Sequence, residues 1–259
     1  MYGRCAGKSA AITGCAVAAA AAAATAQTAL AADLPAQRPY TAPAVVAPVS
    51  NWTGFYVGAG IGYGLMDVES HTNAPGFAPL ATNGDTGGRG WLGRLQVGYD
   101  AQLANWVVGI FGDYDWSDIK GTASDQNTRL NFALKQNSAW SVGGRIGYLV
   151  VPQFLTYFSG GYTEAHFQGS TGVCSFAGCG AAATLPNHAF SGYFLGGGSE
   201  YAFSWFGPGW TIKTEYRLAE FSRDTFAITA PAFPGATATM RPFVQTITSE
   251  LTYKFNWGR

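Results

Sequence analysis

Charge is scarce in this chain. Only 12% of its 259 residues are Asp, Glu, Lys or Arg, whereas a soluble domain carries about a quarter. The 15 basic and 15 acidic side chains cancel, so no excess of positive charge invites a polyanion, and nucleic acid is not an expected partner. Long apolar runs are missing as well. Past the N-terminal segment nothing approaches the roughly 18 consecutive apolar residues of a membrane-spanning helix, which excludes a helical span. Histidine is limited to His71, His166 and His188 and cysteine to four residues, and a metal site wants a denser set of ligands than these offer. Glycine (35 residues) and aromatics (8 Trp, 13 Tyr, 17 Phe) are plentiful instead.

Those residues are arranged in alternation, seen best in SGYFLGGGSEYAFSWFGPGWTIKTEYRLAEF, residues 191–221. Tyr193, Leu195, Tyr201 and Phe203 fall on one parity, and Phe194, Gly196, Gly198, Glu200 and Ala202 on the other. After Phe206-Gly207-Pro208-Gly209 the pattern restarts: Trp210, Ile212, Tyr216 and Leu218 face one way, Thr211, Lys213, Glu215, Arg217 and Ala219 the other. A period of two is that of a strand, and the Gly-Pro break is a tight turn. One face ends in aromatics and the other mixes glycine with both signs of charge, as in a lipid-facing barrel strand.

The module recurs along the chain. Residues 54–68 set Phe55, Val57, Ile61 and Leu65 against Gly58, Gly60, Gly62 and Gly64. A polar stretch to Arg89 leads to a second strand, residues 91–103, with Arg94, Gln96 and Asp100 opposite Trp91, Leu95, Val97 and Tyr99. A turn at Ala104-Asn105 and a third strand, residues 106–116, carry Phe111, Asp113 and Asp115 opposite Trp106, Val108, Ile110 and Tyr114. A loop is expected over residues 120–136, then a fourth strand to Val150 with Ser141, Gly143, Arg145 and Gly147 on its reverse. The fifth strand, residues 154–167, leaves its faces open, because Phe154, Phe158 and Tyr162 compete with Leu155, Tyr157 and Phe167. A loop to Asn187, the two strands first described, a loop over residues 225–241 and an eighth strand over residues 243–257 complete the series. Long and short connections alternate strictly, as the outer loops and periplasmic turns of an outer-membrane barrel do. Lipid offers no partner for an open sheet edge, so the sheet must close. The expected fold is all-β: a closed, eight-stranded, antiparallel transmembrane barrel.

Three segments divide the chain. Arg4 and Lys8 precede an Ala-rich run, and Ala29-Leu30-Ala31 offers small residues for cleavage, so residues 1–32 read as a secretory signal peptide. Too little apolar sequence precedes Cys15 for a lipoprotein signal. Residues 33–50, with Pro35, Pro39, Pro43 and Pro48, form an extended linker, and residues 51–259 are the barrel.

The stretches GYFLGGGSEYAF from Gly192, Thr214-Glu215-Tyr216, Leu251-Thr252-Tyr253-Lys254-Phe255 and Asn51-Trp52-Thr53-Gly54-Phe55-Tyr56-Val57-Gly58 resemble the small porin-family outer-membrane β-barrel proteins of alphaproteobacteria, which have an OmpA/OmpX-like barrel. The resemblance spans residues 51–259. It implies the outer membrane of a Gram-negative cell, contact with lipid and lipopolysaccharide, and a structural role in envelope integrity and loop presentation. It also implies that the barrel-insertion machinery reads the closing-strand aromatics Tyr253, Phe255 and Trp257, although here the chain runs on past Phe255 to Arg259. No host or peptidoglycan partner is named by any motif.

Candidate chemistry is confined to three places. Arg94, Asp100, Asp113, Asp115, Arg145, Glu200, Lys213, Glu215, Arg217, Glu250 and Lys254 share the inward parity. Five positive and six negative charges in a narrow lumen read as a neutralising network, and the alternative is a small diffusion channel. Cys174 and Cys179, in one exported loop, read as a disulfide. The three histidines leave room for a surface haem or metal ligand or for hydrolytic chemistry, but His188 and Ser191 fall on opposite parities. Asp67, Glu69 and residues 113–118 are candidates for cation bridges to lipopolysaccharide. No cofactor is called for, and no enzyme is expected.

Overall fold

The computed structural model describes residues 51–73, 84–124, 130–174, 182–229 and 235–255. The signal peptide and linker expected over residues 1–50, together with Cys179 and Trp257, lie outside them. Eleven strands form one sheet: β1 (Gly54–Asn73), β2 (Gly84–Leu103), β3 (Trp106–Ser124), β4 (Leu130–Val151), β5 (Phe154–Gln168), β6 (Thr171–Cys174), β7 (Ala182–Thr184), β8 (His188–Phe203), β9 (Trp210–Phe221), β10 (Asp224–Ala227) and β11 (Thr237–Phe255). Eight of them close a ring: β1 pairs with β2, β2 with β3, and so on through β4, β5, β8 and β9 to β11, which pairs back to β1. Every pairing is antiparallel, and because β11 closes onto β1 the ring leaves no long edge for lipid to meet. No helix among the described residues is long and apolar enough to cross a membrane.

The short connections lie at one end of the ring. Leu103 pairs directly with Trp106 around Ala104, whose φ is 53°, a left-handed position in a two-residue turn. Pro152-Gln153 joins β4 to β5. Between β8 and β9 the chain turns through Gly207 and Gly209, with φ of 101° and 92°, values that suit residues without a Cβ.

On the outer face, aromatics form two belts. Edge-to-face pairs mark the turn end, Phe55 with Tyr99 at 4.8 Å and Trp106 with Tyr148 at 5.2 Å. Tyr63 with Trp91 at 5.2 Å and Trp140 with Tyr162 at 5.4 Å mark the other belt. Phe55 and Tyr63, Tyr99 and Trp91, and Tyr148 and Trp140 are each eight positions apart on their strands. At about 3.3 Å per residue and a tilt of about 40°, that is roughly 20 Å of height, the thickness of an apolar band. Exposed Ile61, Leu95, Ile110, Ile146, Leu195, Ile212 and Leu251 fill it.

The strands outrun the outer belt, and this corrects four expected loops. β2 begins at Gly84 rather than after Arg89, β3 and β4 reach Ser124 and Leu130 across the expected 120–136 loop, and β11 starts at Thr237 rather than 243 and runs to Phe255, the last described residue. The loops toward Asn187 and over residues 225–241 contain β6, β7 and β10, which extend the sheet beyond the ring. The reason is chemical. Above the belt the outer face meets water, so the strands carry polar residues outward and turn apolar ones inward. A register shift between Trp116 and Ile119 of β3, opposite Ser138 and Gln136 of β4, is a bulge at this level. Across it the inward parity of β4 changes from Ser141 and Ala139 to Gln136 and Leu134, while β3 keeps its own from Asp115 to Ile119.

Three zones stack inside the ring. At the turn end Trp52, Val107, Leu149, Leu155 and Tyr157 make an apolar floor. Charged side chains follow. Above them Met66, Val68, Leu92, Ile119, Leu134, Phe167, Phe190, Phe221, Met240 and Val244 make a second apolar core. The unresolved faces of the fifth strand are settled by these zones: Leu155, Tyr157 and Phe167 point in, while Phe158 and Tyr162 face out.

Candidate functional site

The charged middle of the lumen is held by strand alternation alone, because each of its members occupies an inward position on a central strand. All eleven charged residues expected to share that parity are buried there, none more than 6% exposed, and they connect in tiers across the ring.

The lowest tier joins four strands. Arg145 of β4 donates from Nε to Asp100 Oδ1 of β2 at 2.9 Å and from Nη1 to Glu200 Oε2 of β8 at 3.0 Å. Lys254 of β11 reaches the same two carboxylates, at 2.5 Å from Asp100 Oδ2 and 3.4 Å from Glu200 Oε1. Thr211 donates to Glu200 at 2.7 Å. The guanidinium of Arg145 lies over the rings of Tyr56 and Tyr157, at 4.7 and 5.2 Å. Beneath, the Lys254 ammonium sits 5.0 Å from the Trp52 ring. Trp52 closes this end of the lumen: its Nε1 donates to the Pro152 carbonyl and its backbone N–H to Gln102 Oε1, each at 3.0 Å.

In the next tier Lys213 of β9 donates to Gln96 of β2 and stands 2.9 Å from Glu250 Oε2 of β11. Gly58 and Gly60 of β1 face Glu250, and a Cβ on Gly60 would lie 2.6 Å from Glu250 Cγ. The bare glycine wall is therefore the space that the opposing carboxylate side chain occupies. Among the described residues the Tyr56 and Thr252 hydroxyls lack a hydrogen-bond partner, and Glu250 is met by the Lys213 ammonium as an ion pair without a well-aligned hydrogen bond; groups of this kind suit bridging water.

The upper tier holds two arginines. Arg94 forks onto Asp115, with Nε and Nη2 donating at 2.6 and 2.7 Å. Arg217 forks across the lumen onto Asp113, both nitrogens at 3.0 Å, and its Nε donates to Glu215 at 2.9 Å. Tyr157 donates to the other oxygen of Glu215 at 2.9 Å. Paired, planar contacts of this type are the strong form of a carboxylate bond. Arg217 also lies 4.2 Å from the Phe194 ring and 5.7 Å from Phe111, and these two rings separate the charges from the apolar core above.

Residues that the sequence did not single out complete the site: Trp52 as floor, Tyr56 and Tyr157 as ring platforms, and Gln96 and Thr211 as polar partners. The signal for Trp52 was its place just before the first strand; Tyr157 was hidden in the strand with ambiguous faces. Of the closing-strand aromatics, Tyr253 and Phe255 meet edge to face at 5.0 Å on the outer face. Cys174 is the last residue of β6, and its expected bond with Cys179 falls outside the described residues.

His166 and His188 stand on the neighbouring strands β5 and β8 and line one crevice, while His71 stands on β1. His71 faces Glu69 at 3.4 Å, His166 lies 3.6 Å from Glu164, and His188 lies 3.2 Å from Asp224. Among the described residues no three His, Cys, Asp or Glu side chains cluster as metal ligands do. The candidate cation bridges are taken up internally. Asp113 and Asp115 are buried in the lumen, Glu69 pairs with Arg223 at 3.1 Å, and Asp118 pairs with Lys120 and Lys135 at 2.8 and 3.0 Å.

Comparison with known proteins follows the same lines. The outer membrane protein beta-barrel domain pattern matches residues 9–255. The 31 kDa outer-membrane immunogenic proteins of Brucella melitensis and Brucella suis are each 27% identical over 207 residues, covering 75% of this chain and 82% of the relative. The solved structure of OprG from Pseudomonas aeruginosa is 12% identical, covers 80% of this chain and 99% of its own, and superposes with a TM-score of 0.48. The protease OmpT from Escherichia coli, 10% identical over 77% of this chain and 97% of its own, gives 0.33. At such identities likeness of fold carries no activity with it. With the family pattern covering nearly its whole length and a closed eight-stranded barrel beneath it, this chain belongs to the outer membrane protein beta-barrel domain family and resides in the outer membrane.

Proposed function

We propose that this barrel is a non-catalytic, non-conducting structural element of the outer membrane, whose work is to hold the envelope and present the connections between its long strands at the cell surface. One observation carries this reading. Arg217 on β9 bridges the lumen to Asp113 on β3, and below it Arg145 on β4 ties β2 to β8. An eight-stranded ring is only wide enough for side chains to meet. Opposite charges attract more strongly in such an interior than at a surface, so ion passage would have to break two crossings and the Trp52 floor.

Several further features support the reading. Each histidine faces a different carboxylate, and His166 and His188, though they line one crevice, share no partner, which is poor ground for hydrolytic chemistry. The signal peptide, the disulfide between Cys174 and Cys179, and contact with lipid and lipopolysaccharide belong to the same proposal, because a surface barrel is exported, oxidised and lipid-bound. The Brucella relatives are described as immunogenic outer-membrane proteins, in keeping with loops that face outward. Recording from the purified protein in planar bilayers tests the proposal. No steady conductance is expected, and sustained openings on the order of a nanosiemens, as an open pore would give, would replace it with the diffusion-channel reading.

A further inference from the structure

In the upper zone the wall of the barrel has a seam. β8 and β9 pair up to Gly192 and Phe221, and the Ser222 N–H donates to the Ser191 carbonyl at 2.8 Å. Higher up, Thr184 of β7 and Thr229 beyond β10 form one isolated bridge, with hydrogen bonds of 2.9 and 3.2 Å. Between these two points residues 185–190 and 223–228 exchange no backbone hydrogen bond. β10 is laddered to β11 alone. A stretch of sheet without its ladder is where a structure opens locally at low cost.

Side chains fill the seam instead, and His188 is at its centre. Its ring stacks on Phe226 of β10 at 5.1 Å with the planes 29° apart, and meets Phe190 edge to face at 4.6 Å. Its Nε2 lies 3.2 Å from Asp224 Oδ2. Asp224 and Phe226 stand opposite Met240 and Ala238 of β11, both buried, so the contact is on the inner side. The other charged and titratable groups around the seam are engaged elsewhere. His166 of β5 is on the outward parity, 3.6 Å from Glu164. Arg223 reaches Glu69, and Glu220 of β9 is held by Arg241 and Tyr193. β7 carries no titratable residue. Among the described residues Asp224 is thus the one charge that meets His188. A crevice of about 580 Å³, lined by Asn187 and His188 among others, gives water and its protons access to the ring.

We propose that β7 and β10 are the two edges of a flap in the surface zone, and that His188 is its proton-operated latch. Histidine changes charge between about pH 5 and 8. The imidazolium is drawn across the seam to the Asp224 carboxylate as well as stacked on Phe226. As pH rises the charge goes and the attraction with it, so the latch holds in acid and slackens in alkali. The seam then rests on the ring contacts and the Thr184–Thr229 bridge, and opening lets water reach Phe190 and Ile228, both buried in the closed form. A barrel built this way tightens its surface connections as its surroundings acidify. The inference shares with the surface-barrel reading only the upper zone's exposure to water: exchange reports the seam and conductance the lumen, so either can fail alone.

Hydrogen exchange followed by mass spectrometry tests it, on the full chain refolded into phosphatidylcholine vesicles. Rates are compared at about pH 5 and pH 8, the limits of histidine titration, after correction for the intrinsic effect of pH. Peptides covering residues 182–190 and 224–229 should exchange about two- to fivefold faster at the higher pH, the range open to a half-exposed ion pair. Peptides from the membrane zone of β1 and β2 should show no such difference. D224N keeps the size of the side chain and should abolish the difference at the seam. H188F keeps the stacked ring and should abolish it too. H166Q, in the same crevice, should retain it. Should H188F not refold, D224N decides alone. A parent whose seam exchanges equally at the two pH values would overturn the proposal. So would D224N responding to pH as strongly as the parent, or H166Q losing the response.

Discussion

Along β1 the two faces exchange character within a few residues. Up to Leu65 the outward side chains include Phe55, Ile61 and Leu65 and the inward positions are Tyr56 and then Gly58, Gly60, Gly62 and Gly64; beyond it Asp67, Glu69 and His71 face out while Met66 and Val68 are buried inside. β11 repeats the exchange in the other direction of travel. Val244 and Met240 are buried inside above the belt, and Thr248, Glu250, Thr252 and Lys254 below it. One continuous sheet thus contains a membrane barrel, apolar outside and charged within, and above it a barrel built like a soluble protein. The pairing ladder is common to both zones. What changes is the solvent against the outer wall. In lipid the outside must be apolar, and the interior can then be polar provided every charge finds a partner. In water the outside can be polar, and burial of Met66, Phe167, Phe190 and Phe221 supplies the driving force.

The comparison is broken most sharply from inside. Arg145→Ala leaves Asp100 and Glu200 buried with Lys254 as their shared cation, and should destabilise the barrel by about 3–5 kcal/mol in a urea titration in vesicles. Phe221→Ala in the upper core should cost a similar ~3–5 kcal/mol, but as a cavity. Placing Leu instead at position 221 should recover most of that loss. Leu at position 145 should recover little, because it leaves the carboxylates unpaired. A Leu at 145 as stable as the parent would show that the network is dispensable.

On the outer wall the same substitution should have opposite consequences in the two zones. Ile212→Arg puts a charge against hydrocarbon and should cost about 2–4 kcal/mol. Thr239→Arg, also on an outward position but beyond the belt, should change stability by less than about 0.5 kcal/mol. Equal costs at the two sites would place the water boundary elsewhere.

The smallest effect belongs to the outer rim. The hydrogen bond from Lys120, and then that from Lys135, holds the Asp118 carboxyl below its ordinary value. A depressed folded value means that its stabilising contribution is present above the unfolded carboxylate's titration near about 3.9 and disappears as pH falls through the lower folded value. NMR titration of Asp118 should show its midpoint rising in K120Q/K135Q. An unchanged midpoint would mean that the lysines do not engage it in solution.

Much of the barrel was legible in the chain because its alternation is one-dimensional. Tyr201, Ile212, Tyr216 and Leu251 announce one face and Glu200, Lys213, Glu215 and Arg217 the other, since neighbouring side chains in any strand must point apart. The strand extensions were less legible. Above the belt the outward residues Glu69, His71 and Arg241 look like loop residues when lipid-facing aromatics are the guide. The fifth strand hid its faces because Leu155, Tyr157 and Phe167 are apolar on the inward side, where floor and upper core replace the charges.

By itself, then, the sequence determined the eight ring strands in their membrane zone, the parity of all but the fifth, the set of charges sharing one face and the need for closure, because period, composition and the cost of an open edge in lipid are properties of the chain. Only the tertiary structure decided who meets whom. Arg217 and Asp113 lie 104 positions apart and Lys213 and Gln96 117, and each pair meets because ring order and register bring two distant strands to one level of a narrow lumen. The same closure brought His188 against Asp224, and moved Trp52 from a residue before the first strand to the floor of the barrel.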